Sequence, residues 1–155
     1  MHQPRLSLIG VQGLSSYDYS SLKLAIDALH RAVGVTSHDA RWATFDAVTQ
    51  ETLKAGVIQT FEVAYEQSWK MLEGWLQVNS TSDKVTYGTK KRELYLDAAK
   101  AGLIDDIDEW MAFHKARNKT SHTYDCQIAG VVFEMAPRYL VEAQKLLLAL
   151  DLRND

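Results

Sequence analysis

Arg117, Asn118, His122 and Tyr124 fall within eight residues, in the run Arg117-Asn118-Lys119-Thr120-Ser121-His122-Thr123-Tyr124-Asp125. These side chains suit phosphodiester chemistry. A neutral imidazole takes the proton of an RNA 2′-hydroxyl, and an imidazolium protonates the departing 5′-oxygen. A guanidinium braces the non-bridging phosphate oxygens while negative charge builds on them. The Asn118 amide can orient the histidine or the phosphate, and the Tyr124 phenol can bind a phosphate or accept a covalent modification. None of these steps asks for a metal. One arginine and one histidine are thin equipment for both the acid and the base role, so two copies across a dimer interface would supply the missing groups. By spacing alone an R-x4-H pattern is common, and its plainest reading is a basic cluster at a helix C-terminus.

The elements around this run must therefore bring the side chains together. On an unbroken helix, Arg117 and His122 point about 140° apart, whereas Asn118 and His122 share a face. Thr120, Ser121 and Thr123 compete for backbone hydrogen bonds, which favours a helix end before His122. The remaining chain reads as helical. Apolar residues at three-to-four spacing predict a first helix over Ser20–Val33, with Gly34 as a left-handed C-terminal residue. Ser37–Ala47 is ambiguous, with Trp42 and Phe45 on one face of a short helical segment. A long helix is expected over Glu51–Val78, followed by a polar loop at Asn79–Asp83. A third spans Thr89–Ala101, with Gly102 and Leu103 closing it. Asp105 is the expected cap of a fourth helix, whose first turn holds Asp106, Asp108 and Glu109, on the side the dipole favours. Asp125 is the expected cap of a fifth, over Cys126–Leu152, with a kink at Pro137. Short connections between long amphipathic helices imply an all-α antiparallel bundle of four to five helices, one domain over residues 19–155 behind an arm at 1–18.

Composition sets outer bounds. The chain has 155 residues and a formal charge of −3, which argues against indiscriminate coating of nucleic acid but leaves room for a local basic site. The single cysteine, Cys126, allows no internal disulfide and fits a reducing, cytoplasmic setting. No apolar run reaches membrane-spanning length. Arg5 before Leu6–Val11 faintly resembles a signal peptide, but no small-x-small cleavage site follows, and an extended arm is the preferred reading. His2, His30, His38 and His114 have no partners at metal-ligand spacing. His114 reads as a helix-packing residue. Glu62 and Glu66 share a helix face that is solvated or lies at an interface, where one carboxylate would meet a partner's arginine. Lys90, Lys91 and Arg92 form the densest basic cluster and, with Lys119, are candidates for contact with an RNA backbone. A solvated first helical turn is the alternative for that cluster. There is no Walker loop, dinucleotide-binding fingerprint, nucleophile elbow or zinc-finger spacing.

Three ordered blocks carry a family resemblance. They are Val57-Ile58-Gln59-Thr60-Phe61-Glu62-Val63-Ala64-Tyr65-Glu66-Gln67-Ser68-Trp69-Lys70, then Ala101-Gly102-Leu103-Ile104-Asp105-Asp106 followed by Trp110, and the Arg117–Asp125 run. Together they resemble the HEPN superfamily, in the branch described as nucleotidyltransferase substrate-binding proteins, over roughly residues 20–150. The resemblance implies a helical bundle that forms a homodimer. It implies that paired R-x4-6-H motifs cleave RNA without metal, which assigns Arg117, His122 and Asn118 to catalysis. It also implies a toxin–antitoxin pairing with an MNT-type nucleotidyltransferase, which neutralises the ribonuclease and adenylylates the tyrosine of H-x-Y, here Tyr124. A second implied reading makes the helical protein a non-catalytic subunit that presents substrate to the nucleotidyltransferase. The arm at 1–18 lies outside the resemblance and has no assigned role.

Overall fold

Apolar side chains recurring on one face of each helix leave burial against other helices as the way to remove that face from water. The computed structural model describes residues 17–79 and 87–153. Among these, α1 spans Ser20–Thr36, α2 Asp39–Trp42, α3 Ala47–Asn79, α4 Lys91–Lys100, α5 Ile107–Asn118 and α6 Cys126–Arg153. A single 3-10 turn, Thr120–His122, joins α5 to α6. The described residues form a helical bundle with no strand. Helix α3 packs against α1, α4, α5 and α6, so it is the common wall of the bundle. No described helix is long and apolar enough to cross a membrane.

The core is rich in aromatic rings. Tyr139 of α6 is fully buried and meets Phe61 and Phe113 edge-on, each at 5.3 Å between ring centres, and Trp110 at 5.9 Å. Such T-shaped contacts place ring edges on ring faces, the arrangement the aromatic quadrupole favours. Phe61 comes from α3 and Trp110 and Phe113 from α5, so one tyrosine ties three helices. On the surface, Arg138 of α6 grips Glu109 of α5 with two hydrogen bonds, at 3.1 and 2.5 Å.

Several boundaries differ from the sequence-based expectation. Helix α1 continues past Gly34 to Thr36, and Gly34 has no left-handed backbone. The Val33 carbonyl is instead satisfied by the Ser37 N–H at 2.9 Å and the Thr36 hydroxyl at 3.1 Å, so no left-handed residue is needed. Helix α3 begins at Ala47, earlier than expected, because the Asp46 carboxylate accepts from the Thr49 N–H at 2.7 Å. Asp106 caps α5, accepting from the Glu109 N–H at 3.1 Å from an extended backbone; Asp105 does not. Gly102 does take the left-handed conformation, φ 77°, and the Leu103 N–H reaches back to the Ala98 carbonyl at 3.0 Å. At α6, the Asp125 carboxylate accepts from the Gln127 N–H at 2.9 Å. Pro137 lies on an exposed side of α6, inside one continuous element. Residues 1–16 of the expected arm and 80–83 of the expected loop lie outside the described residues.

The two glycines should respond oppositely to alanine. Gly34 is helical and its added Cβ would meet nothing within 4 Å, so Gly34→Ala should stabilise by about 0.5–1 kcal/mol. Gly102→Ala should destabilise by about 1 kcal/mol or more, because its backbone is left-handed and its Cβ would collide with the Arg153 guanidinium. Urea unfolding of the two variants checks both signs.

Candidate functional site

Helix α5 ends at Asn118, and the chain tightens into the Thr120–His122 turn before α6 begins. The His122 N–H bonds the Lys119 carbonyl at 3.0 Å, and the Asp125 N–H bonds the His122 carbonyl at 3.1 Å. Arg117 and His122 therefore do not share one continuous helix, as the Thr/Ser-rich sequence there predicts. Thr120 is buried at this turn. Its hydroxyl donates to the Arg117 carbonyl at 2.8 Å and accepts from Arg117 Nη1 at 3.0 Å. One threonine thus closes the helix end and holds the arginine head.

The rest of the arginine's setting comes from α3. Arg117 Nε donates to Glu66 Oε1 at 2.9 Å, and Nη2 stands 3.7 Å from Glu62 Oε1. Glu66 is itself fixed, because its Oε2 accepts from the Trp69 indole N–H at 3.1 Å. The Glu62–Glu66 face therefore meets Arg117 of the same chain. Lys91 completes the row. Its ammonium lies 3.8 Å from the centre of the Trp69 ring and donates to the Gly88 carbonyl at 2.7 Å.

The basic cluster is accordingly split. Lys91 is buried and its ammonium occupied, so it is withdrawn from the surface on which contact with an RNA backbone was expected. Lys90 and Lys119 are exposed, and Arg92 pairs with Asp108 at 3.2 Å. His122 and Tyr124 are also exposed, Tyr124 to 84%. The Tyr124 hydroxyl lies 3.5 Å from His122 Nδ1, and the two rings are edge-on at 6.0 Å. Beside them, α3 and the start of α6 enclose a cleft of about 500 Å³, lined by Ile58, Gln59, Glu62, Thr120, Tyr124 and Gly130 among others.

Among the described residues Asn118 makes no hydrogen bond to His122. Its amide nitrogen lies 3.4 Å from Nε2 of His114, one turn back on α5. His114 Nδ1 is 3.1 Å from the Tyr65 hydroxyl, which pairs with the Tyr95 hydroxyl. Burial pushes both phenols well above their ordinary range, so both remain neutral. Burial, and next the charge of Lys91, lower the affinity of His114 for a proton. A neutral His114 accepting from Asn118 at Nε2 donates from Nδ1 to Tyr65. This row from the buried tyrosines to Asn118 went unread in the sequence, where the i,i+4 spacing of His114 and Asn118 was its one local signal. Of the other histidines, His38 caps α2 by accepting from the Arg41 N–H at 3.2 Å, and His30 lies 3.5 Å from the Gln144 amide.

The bundle, the broken α5–α6 junction and the three sequence blocks define a class, and the comparisons agree with it. Residues 17–151 match the family described as nucleotidyltransferase substrate binding protein like. The chain belongs to this family, a branch of the HEPN superfamily. It is 38% identical over 137 residues to a Haemophilus influenzae protein named probable ribonuclease HepT, covering 86% of this chain and 92% of the relative. It also resembles a solved Haemophilus influenzae structure, described as revealing the fold of a substrate binding domain of a nucleotidyltransferase. That match has a TM-score of 0.80 and 35% identity and covers 86% of this chain and 99% of the other.

The environment of His114 sets a pH dependence. The folded ring binds a proton less well than the unfolded one, whose ordinary value is 6.5. Its contribution to stability is therefore complete above that value and is lost as pH falls from there through the depressed folded value. Unfolding free energy should drop as pH is lowered through about 6.5 and below, and His114→Gln should flatten that slope. Denaturant titrations of both proteins across this range measure it.

Proposed function

We propose that this protein is a metal-independent endoribonuclease toxin of a HEPN/MNT toxin–antitoxin pair, acting in the cytoplasm as a homodimer. The observation that carries the reading is the turn at the end of α5. It carries an arginine whose head is already oriented by Glu66 and Thr120, followed within seven residues by an exposed histidine and tyrosine. The name of the Haemophilus relative at 38% identity supports it.

In this mechanism neutral His122 removes the 2′-hydroxyl proton, and the 2′-oxygen attacks the adjacent phosphorus. The bond from phosphorus to the 5′-oxygen breaks, and the imidazolium of the second protomer's motif protonates the leaving oxygen. Arg117 stabilises the charge on the non-bridging oxygens. In this reading Asn118, whose amide nitrogen lies 3.4 Å from His114 Nε2, orients the phosphate. Exposed Lys90 and Lys119, and Arg92 on release from Asp108, meet the flanking backbone in this reading.

The partner in this reading is an MNT-type nucleotidyltransferase, supported by the family description. It transfers AMP from ATP to the Tyr124 hydroxyl and releases pyrophosphate. The exposure of that hydroxyl and its 3.5 Å approach to His122 favour such a switch, since an anion there would occupy the phosphate site and repel RNA.

Arg117→Ala and His122→Ala should each lower EDTA-resistant RNA cleavage by roughly 100-fold or more, with folding intact by circular dichroism. Tyr124→Phe should still cleave. After co-expression with the nucleotidyltransferase, the wild type should gain the mass of one or more AMP units and Tyr124→Phe none. Equal RNA handling by the wild type and both site variants would favour a substrate-presenting subunit instead.

A further inference from the structure

Arg117 faces two carboxylates, and they are not equivalent. Glu66 accepts a hydrogen bond from Nε at 2.9 Å and has a second anchor in the Trp69 indole N–H at 3.1 Å. Glu62 lies 3.7 Å from Nη2, beyond hydrogen-bond length, and has no comparable anchor among the described residues. The side chains of Arg117 and Glu62 are 27% and 30% exposed, so their pairing is partly solvated. Nη1 is engaged by Thr120 at 3.0 Å. The nitrogen with both its hydrogens uncommitted is therefore Nη2, on the edge where Glu62 stands. Glu62 and Thr120 also line the 500 Å³ cleft that Tyr124 borders.

We propose that the two glutamates act in opposite senses on an RNA phosphate. Glu66 is a positioning residue that fixes the guanidinium plane. Glu62 is a competing anion on the edge a phosphate needs, and binding of RNA exchanges it for a non-bridging oxygen while its carboxylate turns into the cleft. The exchange is physically reasonable. A partly exposed ion pair lacking a hydrogen bond is weak, whereas a phosphodiester offers charge-assisted bonds to the same N–H groups. This proposal rests on reading Arg117 as a phosphate ligand.

The test is binding of a labelled single-stranded 2′-O-methyl RNA, which lacks the attacking hydroxyl, followed by anisotropy at fixed salt. Glu62→Gln should bind about 3- to 10-fold tighter than wild type, the scale of one partly exposed ion pair. Its melting temperature should stay close to that of wild type. Arg117→Ala should bind more weakly, and the gain should vanish in the Glu62→Gln/Arg117→Ala double variant. In cleavage assays Glu66→Gln should lower kcat more than it raises KM, because it misaligns Arg117 in the transition state. Glu62→Gln binding no tighter than wild type would overturn the proposal. So would a gain that persists without Arg117, which would reflect net charge alone. Arg117→Ala binding as wild type would remove the phosphate-ligand reading and this proposal together. Absence of cleavage by every protein, with an Arg117-dependent gain in Glu62→Gln, would reject the ribonuclease reading while supporting the exchange.

Discussion

The contact between Arg117 and Glu66, at 2.9 Å, is the constraint on which the site depends. It joins the end of α5 to the middle of α3, and it fixes a charged head that would otherwise have long side-chain freedom. Glu66 meets this task because Trp69, one turn further along α3, holds its other oxygen. Lys91 then packs its ammonium on the Trp69 ring, bringing the start of α4 into the same row. Removing one partner from such a partly buried network leaves the other charge poorly compensated, so its parts are expected to act as a unit.

The bundle makes that contact possible. Helix α3 runs for 33 residues and touches every other long helix. Its buried stripe, including Phe61 and Tyr65, packs toward Tyr139, while Glu62 and Glu66 stand on the neighbouring face. The fully buried rings of Trp110, Phe113 and Tyr139 hold α5 and α6 against α3. The proposed site lies at the junction where α5 stops. There the backbone turns, Thr120 bonds both the Arg117 carbonyl and its guanidinium, and His122 and Tyr124 are exposed.

The helices were legible in the sequence because each buries a stripe at three-to-four spacing, as Leu22, Ile26, Leu29 and Val33 do in α1. Their ends were less legible, because more than one residue could satisfy the terminal groups. Asp105 and Asp106 are both competent caps, and only the extended backbone at Asp106 decides between them. Gly34 looked like a stop, but the Thr36 hydroxyl and Ser37 N–H made a left-handed turn unnecessary. At the site, the helix break before His122 was readable from Thr120, Ser121 and Thr123. The partners of Arg117 were not, since Glu66 is 51 residues away and its selection is a tertiary event. The same holds for Lys91, which looks like a surface cation in sequence and is buried against Trp69 in the fold. The roles proposed for Arg117 and His122 rest on family resemblance, since the spacing of an arginine and a histidine is too common to carry them.

The proposed chemistry at this junction is cleavage of RNA by attack of the 2′-hydroxyl, with no metal taking part. The most direct measurement is the chemistry of the fragment ends after incubation of RNA with the purified protein in excess EDTA. Attack by the 2′-oxygen predicts 2′,3′-cyclic phosphate and 5′-hydroxyl ends, formed by the wild type and absent with His122→Ala. Ends bearing a 3′-hydroxyl and a 5′-phosphate, or cleavage that persists in His122→Ala, would contradict the account.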